Sequence, residues 1–212
     1  MSKINMINGD CMEYMAGFPD NAYELAIVDP PYGLPDRSKQ GAGKLKNRSI
    51  QGMYDRGWDT PPQKEYFEEL FRVSKNQIIW GGNYFHLPPN RGFIVWDKCQ
   101  PWENFAACEY AWNSIDGVAK MFKFDNRTGG KIHPTQKPVD LYKWLLKNYA
   151  KPGDRILDTH GGSGSICIAC HDMGFDLDWI ELDEDYYTAA IKRFNTHAAQ
   201  GSLFEFEGGN IA

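Results

Sequence analysis

The stretch Arg155 to Tyr187, "RILDTHGGSGSICIACHDMGFDLDWIELDEDYY", decides how the rest of the chain is read. An apolar β-branched run ends at Asp158, a glycine-rich turn follows with Gly161, Gly162 and Gly164, a helix begins near Ser165, and a second strand ends at Glu181. This is the plan of a nucleotide or adenosine site: glycines let a ligand approach the backbone, and an acid at the end of the next strand accepts both ribose hydroxyls. A tight strand-to-helix turn also needs glycine for its own sake. A dinucleotide fingerprint requires glycine three residues after Gly164; Cys167 stands there, which disfavours NAD. Cys167 and Cys170 lie three apart on the expected helix, a spacing that suits ordinary core packing better than a redox or metal pair.

Working outward, short runs rich in β-branched and aromatic residues read as strands at Ile4 to Ile7, Leu25 to Val28, Gln77 to Trp80, Phe93 to Trp96, Glu109 to Trp112, Arg155 to Leu157 and Leu177 to Ile180. Helical patterns lie between several of them. Pro61-Pro62 opens one with Tyr66, Phe67, Leu70 and Phe71 on a face; Val139 to Tyr149 carries Leu141, Trp144, Leu145 and Tyr149; Asp183 to Phe194 is the last. The alternation predicts an α/β domain with a mostly parallel sheet covered on both faces, and a ligand crevice at the carboxyl ends of the strands.

At 212 residues, with 42% hydrophobic and 24% charged residues, the chain suits one domain over 1–212. It has no run of eighteen apolar residues and does not begin with a basic-then-apolar leader, so neither a membrane span nor export is expected, and the cytoplasm is the expected compartment. Its five cysteines show no zinc-ribbon spacing, so reduced thiols and no metal are expected. The net charge of −5 hides two basic stretches. Asp36 to Arg56 holds six basic residues against two acidic ones, and Val118 to Lys137 five against one. Both could face phosphates or simply be solvated loops.

Three further stretches carry chemistry. In "INGDCMEYM", Asp10 could accept a hydrogen bond from an adenine amino group, cap the helix from Cys11 to Met15, or do both. In "KIHPTQKPVDLYKWLL", His133, Thr135 and Lys137 occupy a loop before a helix, and Lys137 could hold a carboxylate. In "IVDPPYG", Ile27 to Gly33, a strand runs into an acceptor-only carboxylate and two prolines that lack amide hydrogens. Such a corner suits a substrate with hydrogens to give. An aromatic amine is one: hydrogen bonds from it to the Asp29 carboxylate and a proline carbonyl pull the nitrogen toward tetrahedral geometry, making its lone pair available for methyl transfer. Tyr32 would supply a face on which a planar base stacks.

In order along the chain, "INGDC", "DPPYG", "IIWGGNYF", "VWDK", "HPTQKP", "ILDTHGGSGS" and "IELDEDYY" resemble the β class of amino-group DNA methyltransferases, which use S-adenosylmethionine (SAM). The resemblance implies a Rossmann-like, circularly permuted fold with the catalytic half first and seven strands in the order 3-2-1-4-5-7-6. It implies a catalytic corner of Asp29, Pro30, Pro31 and Tyr32. It also implies a SAM site drawn from Asp10, Cys11, Asp29, Thr135, Lys137, Asp158, His160, Gly161, Gly162, Ser163, Gly164, Ser165, Glu181 and Leu182. In that site Glu181 holds the ribose, Asp10 lies near the adenine amine and Lys137 near the methionine end. Thr159-His160 stand where the family commonly has Pro-Phe, and Ser165 where it has Thr; His160 would pack as the phenylalanine does.

The expected reaction is direct methyl transfer to the N6 amine of adenine in double-stranded DNA, after base flipping. Adenine is preferred because the family tends to carry Asp before Pro-Pro-Tyr for adenine and Ser for cytosine. Cytosine N4, a SAM- or DNA-binding regulator without activity, and a glutamine-modifying protein methyltransferase are the competing readings. DNA contacts are expected from Arg37, Lys39, Lys44, Lys46, Arg48, Lys123, Arg127 and Lys131, with small target-recognition insertions at about 34–60 and 99–132. A homodimer and a cognate restriction enzyme are the further partners that the resemblance suggests.

Overall fold

The structure is a computed structural model that describes residues 2–34, 60–101, 103, 106–125, 132, 133 and 135–208, with side chains described as far as residue 200. The strands are β1 (Ile4–Asn8), β2 (Tyr23–Val28), β3 (Ser74–Trp80), β4 (Phe93–Asp97), β5 (Cys108–Asn113), β6 (Lys120–Lys123), β7 (Arg155–Asp158) and β8 (Asp176–Glu181). The helices are α1 (Cys11–Ala16), α2 (Lys64–Val73), α3 (Val139–Tyr149), α4 (Ser165–Met173) and α5 (Glu184–Gly208). One eight-stranded sheet runs β1-β8-β7-β2-β3-β5-β4-β6. Pairing is parallel except where β5 runs antiparallel to β3 and β4.

Read without its last member, this order is the 3-2-1-4-5-7-6 arrangement with the Arg155–Asp158 strand counted first. The expectation of seven strands is corrected by β6, which adds to the β4 edge in parallel. Its sequence, "KMFK", is too short and too polar to stand out from the basic stretch around it, and β5 and β6 both fall inside the 99–132 segment.

Alternation along β2 shows how the two-sided sheet is built. Leu25 and Ile27 point into one core with Leu141, Leu145, Ile166, Ala169 and Ala190 of the last three helices. Ala26 and Val28 point into the other, with Met15 of α1 and Tyr66, Phe67, Leu70 and Val73 of α2. A strand buried on both faces must be apolar at consecutive positions, and "LAIV" is. Among the described residues no helix is long and apolar enough to cross a membrane.

β7 and β2 are neighbours, and the chain winds away from them in opposite directions, through β8 to β1 on one side and to β3 on the other. Their carboxyl ends, Asp158 and Val28, therefore flank the point where the winding reverses.

Candidate active site

A cavity of about 520 Å³ opens at that point. Its walls include Gly9, Asp10 and Cys11 after β1, Asp29 and Pro31 after β2, Thr135 to Lys137 before α3, Thr159 to Ser163 after β7, and Glu181 to Asp183 after β8. The glycine turn is shaped first by packing. A Cβ on Gly161 would stand 1.9 Å from the Trp179 ring, so only glycine lets the loop lie on β8. The Gly162 amide donates to Glu181 Oε2 at 2.7 Å, and the Asp183 amide to Oε1 at 2.8 Å. Glu181 thus pins both cavity loops and keeps further lone pairs for hydroxyl donors. Asp10 Oδ1 caps α1 through the Met12 amide at 2.6 Å, while no hydrogen bond to its Oδ2 is found among the described residues. Capping and ligand acceptance are compatible on this carboxylate.

At the other end of the cavity, Asp29 is held by both oxygens. The Tyr32 hydroxyl donates to Oδ1 at 2.6 Å, and Lys137 Nζ donates to Oδ2. Lys137 Nζ also lies 3.2 Å from Glu109 Oε2, whose other oxygen pairs with Lys98. Burial acts against the Lys137 charge, but Asp29 and Glu109 outweigh it and raise the ammonium above its ordinary value. Burial alone would lift the Glu109 carboxyl; Lys137 and Lys98 instead hold it below its usual range. The Tyr32 ring stacks on Tyr84, centroids 5.0 Å apart, and lies against Gly81, where a Cβ would meet its Cε1 at 2.1 Å. The "GGNY" turn after β3 is what seats this ring.

Burial sets the remaining protonation states. It pushes the Asp158 carboxyl up to about 8, with the charges of Asp29 and Glu181 adding to the effect and the His160 amide opposing it. His160 and His133 are both lowered to about 4, so both rings are neutral near pH 7. His160 sits edge-on to Tyr66, and its Nδ1 is 3.0 Å from Thr159 Oγ1, which in turn is 2.6 Å from the Tyr66 hydroxyl.

Residues 94–192 match the family model of N6/N4 DNA methylases. Over that segment the chain is similar to the amino-group DNA methylases. It is 28% identical to YubD of Escherichia coli (strain K12), named a methylase, with 88% of each chain covered. Its fold is similar to that of the M1.HpyAVI–SAM complex, with a TM-score of 0.60, 19% identity and coverage of 90% of this chain and 99% of that one. It is also similar to PvuII DNA methyltransferase, described as cytosine-N4-specific, with a TM-score of 0.62, 18% identity and coverage of 92% and 87%.

Of the site residues expected from sequence, the structure gathers Asp10, Cys11, Asp29, Pro31, Thr135, Lys137, His160, Gly161, Gly162, Ser163, Glu181 and Leu182 on the cavity wall. Asp158, Gly164 and Ser165 are placed behind it. Asp158 is buried beneath the turn with Oδ1 on the His160 amide, and Gly164 supplies the left-handed residue before α4. The Ser165 hydroxyl donates to the Lys137 carbonyl at 2.8 Å, so it braces the "HPTQKP" loop instead of facing a ligand. Pro30 is buried and Tyr32 lies off the cavity wall. The expectation of an open face on Tyr32 is corrected: Tyr84 stacks on it. Lys123 is exposed, 4.0 Å from Asp97. Arg37, Lys39, Lys44, Lys46, Arg48, Arg127 and Lys131 lie outside the described residues. Sequence reading gave no role to Glu109, Lys98, Tyr84, Tyr142 or Tyr186. Glu109 sits in "CEYAWN" and Lys98 in "VWDK"; folding brings Glu109 to Lys137 and Lys98 to Glu109.

Proposed function

We propose that the chain methylates the exocyclic N6 amine of adenine in double-stranded DNA, using SAM. The observation that carries this reading is Asp29, an acceptor-only carboxylate at the end of β2, facing a cavity whose opposite wall offers Glu181 and Asp10. A cavity of about 520 Å³ falls within the range that holds a nucleoside-sized ligand. Two residues fit SAM part by part, Glu181 with lone pairs left for the ribose and Asp10 Oδ2 for an adenine amine, while Lys137 is already paired with Asp29 and Glu109.

When bound, SAM supplies a methyl group attached to a positively charged sulfur. Asp29 accepts hydrogens of the target amine and stabilises the positive charge that builds on its nitrogen, with Tyr32 and Lys137 fixing the carboxylate in advance. The Pro30 and Pro31 backbone offers carbonyls and no competing amide hydrogen. An amine inside a duplex is out of reach, so the base is flipped at a cost of a few kcal/mol. Tyr84, about half-exposed, covers the Tyr32 ring and offers an outer aromatic face on which a flipped base could stack. Adenine is preferred over cytosine because the corner carries Asp29 where cytosine enzymes of the resembled class tend to carry serine.

The test is to incubate the purified protein with SAM and unmethylated duplex DNA, then digest to nucleosides for mass spectrometry. N6-methyladenine is expected. N4-methylcytosine would transfer the reading to the other amine, and no methylated nucleoside would end it.

A further inference from the structure

A single lysine would be enough to neutralise Asp29, yet the site contains two more charges. Lys98, Glu109, Lys137 and Asp29 form a row of alternating sign in which each group touches the next. The lysine side chains are buried or nearly so, at 2% exposure for Lys137 and 16% for Lys98, and each lies over a tryptophan ring, Trp80 and Trp96 respectively. Taking charges out of water is unfavourable, so a second buried pair beside the first needs a reason. Geometry supplies one. The Lys137 ammonium has two anionic seats, Asp29 Oδ2 and Glu109 Oε2, and Lys98 balances the second. During amine methylation Asp29 must give its lone pairs to the incoming amine, and an ammonium with no other partner would compete for them.

We infer that Glu109 is a positioning residue that holds Lys137 while Asp29 engages the target amine, and that Lys98 serves by holding the other oxygen of Glu109. This rests on the amine-methylation reading for what Asp29 engages, but not for the sharing of Lys137. Other titratable groups face the row: the Tyr32 hydroxyl on Asp29, with Tyr142, Asp158 and His133 within electrostatic reach.

The test uses the full chain and the variants Glu109→Gln, Lys98→Met and their double, with Lys137→Met for signal assignment. In Glu109→Gln the single-turnover rate should fall about tenfold or more, while the SAM dissociation constant measured by calorimetry changes less than about threefold. Lys98→Met should slow the reaction in the same direction. The double variant should be no slower than Glu109→Gln alone, because Lys98 acts only through Glu109. A second readout needs no turnover: in ¹⁵N-lysine NMR spectra, with the Lys137 signal assigned by its loss in Lys137→Met, the Nζ of Glu109→Gln should lose its proton about one pH unit or more below wild type. Lys98→Met, which reports from outside the cavity, decides the matter if Glu109→Gln does not fold. Wild-type turnover in Glu109→Gln, multiplying losses in the double variant, or an unchanged Lys137 titration would each overturn the inference. If the wild-type protein methylates no DNA amine, the reaction reading fails, and the NMR titration alone decides whether Glu109 shares Lys137.

Discussion

Lys137 Nζ is bonded to Asp29 Oδ2 although the two residues stand 108 positions apart. The bond joins the "DPPYG" and "HPTQKP" segments into one site and, with the Tyr32 hydroxyl, fixes both Asp29 oxygens. Asp29→Asn should therefore abolish methyl transfer, about a thousandfold or more, because the charge that stabilises the developing cation is gone. SAM binding should remain measurable by calorimetry. Unchanged turnover would remove Asp29 from the reaction.

Tyr32 has two tasks in this structure, one for its ring and one for its hydroxyl. Tyr32→Phe removes the hydrogen bond to the Asp29 carboxylate, a bond to a charged group, and should slow transfer about tenfold. Tyr32→Ala also removes the ring packed on Gly81 and Tyr84 and should cost about a further tenfold. Single-turnover rates of the two variants separate the tasks. Equal losses would leave the ring without a role.

Glu181 binds two backbone amides before any ligand arrives, and these hold the cavity loops. Glu181→Ala should weaken SAM binding at least about tenfold, near 1.4 kcal/mol, through lost ribose acceptors and a loosened turn together. Calorimetry measures this, and wild-type affinity would count against the ribose assignment.

Much of the fold was legible because the deciding signals are local. The strand, glycine turn, helix and strand from Arg155 to Glu181 are contiguous, and the buried strands announce themselves as apolar runs. The places of Asp10 and Glu181 on the cavity wall follow from their positions at the ends of strands. What sequence could not show was contact between distant segments. Lys137 reads as a cation in search of a carboxylate, and the structure pairs it with two of the chain's own. The resemblance implies a ligand contact for Ser165, yet folding turns its hydroxyl to the Lys137 carbonyl. Tyr32 reads as an open platform because nothing in "DPPYG" reveals that Tyr84 will lie on it.

Asp158 predicts a pH dependence of stability. Its carboxyl is raised to about 8 in the folded chain, while an unfolded aspartate ionises near about 4. Between those values the folded state holds the extra proton. Its contribution is fully present below about pH 4 and is lost as pH rises through about 8. Asp158→Asn is neutral throughout and should remove this slope. In urea unfolding it should match wild type near pH 4 and exceed it near pH 8.5 by on the order of 1 to 3 kcal/mol. Parallel stability curves would mean that Asp158 is ionised in the fold.

The most direct measurement is to express the chain in a methylation-deficient bacterial host and sequence its genomic DNA by a single-molecule method that reports modified bases. N6-methyladenine at one position of a short recurring motif, absent when Asp29→Asn is expressed instead, is the predicted result. A genome with no modified amine, or the same modification with Asp29→Asn, would contradict the assignment of this corner as the site of methyl transfer.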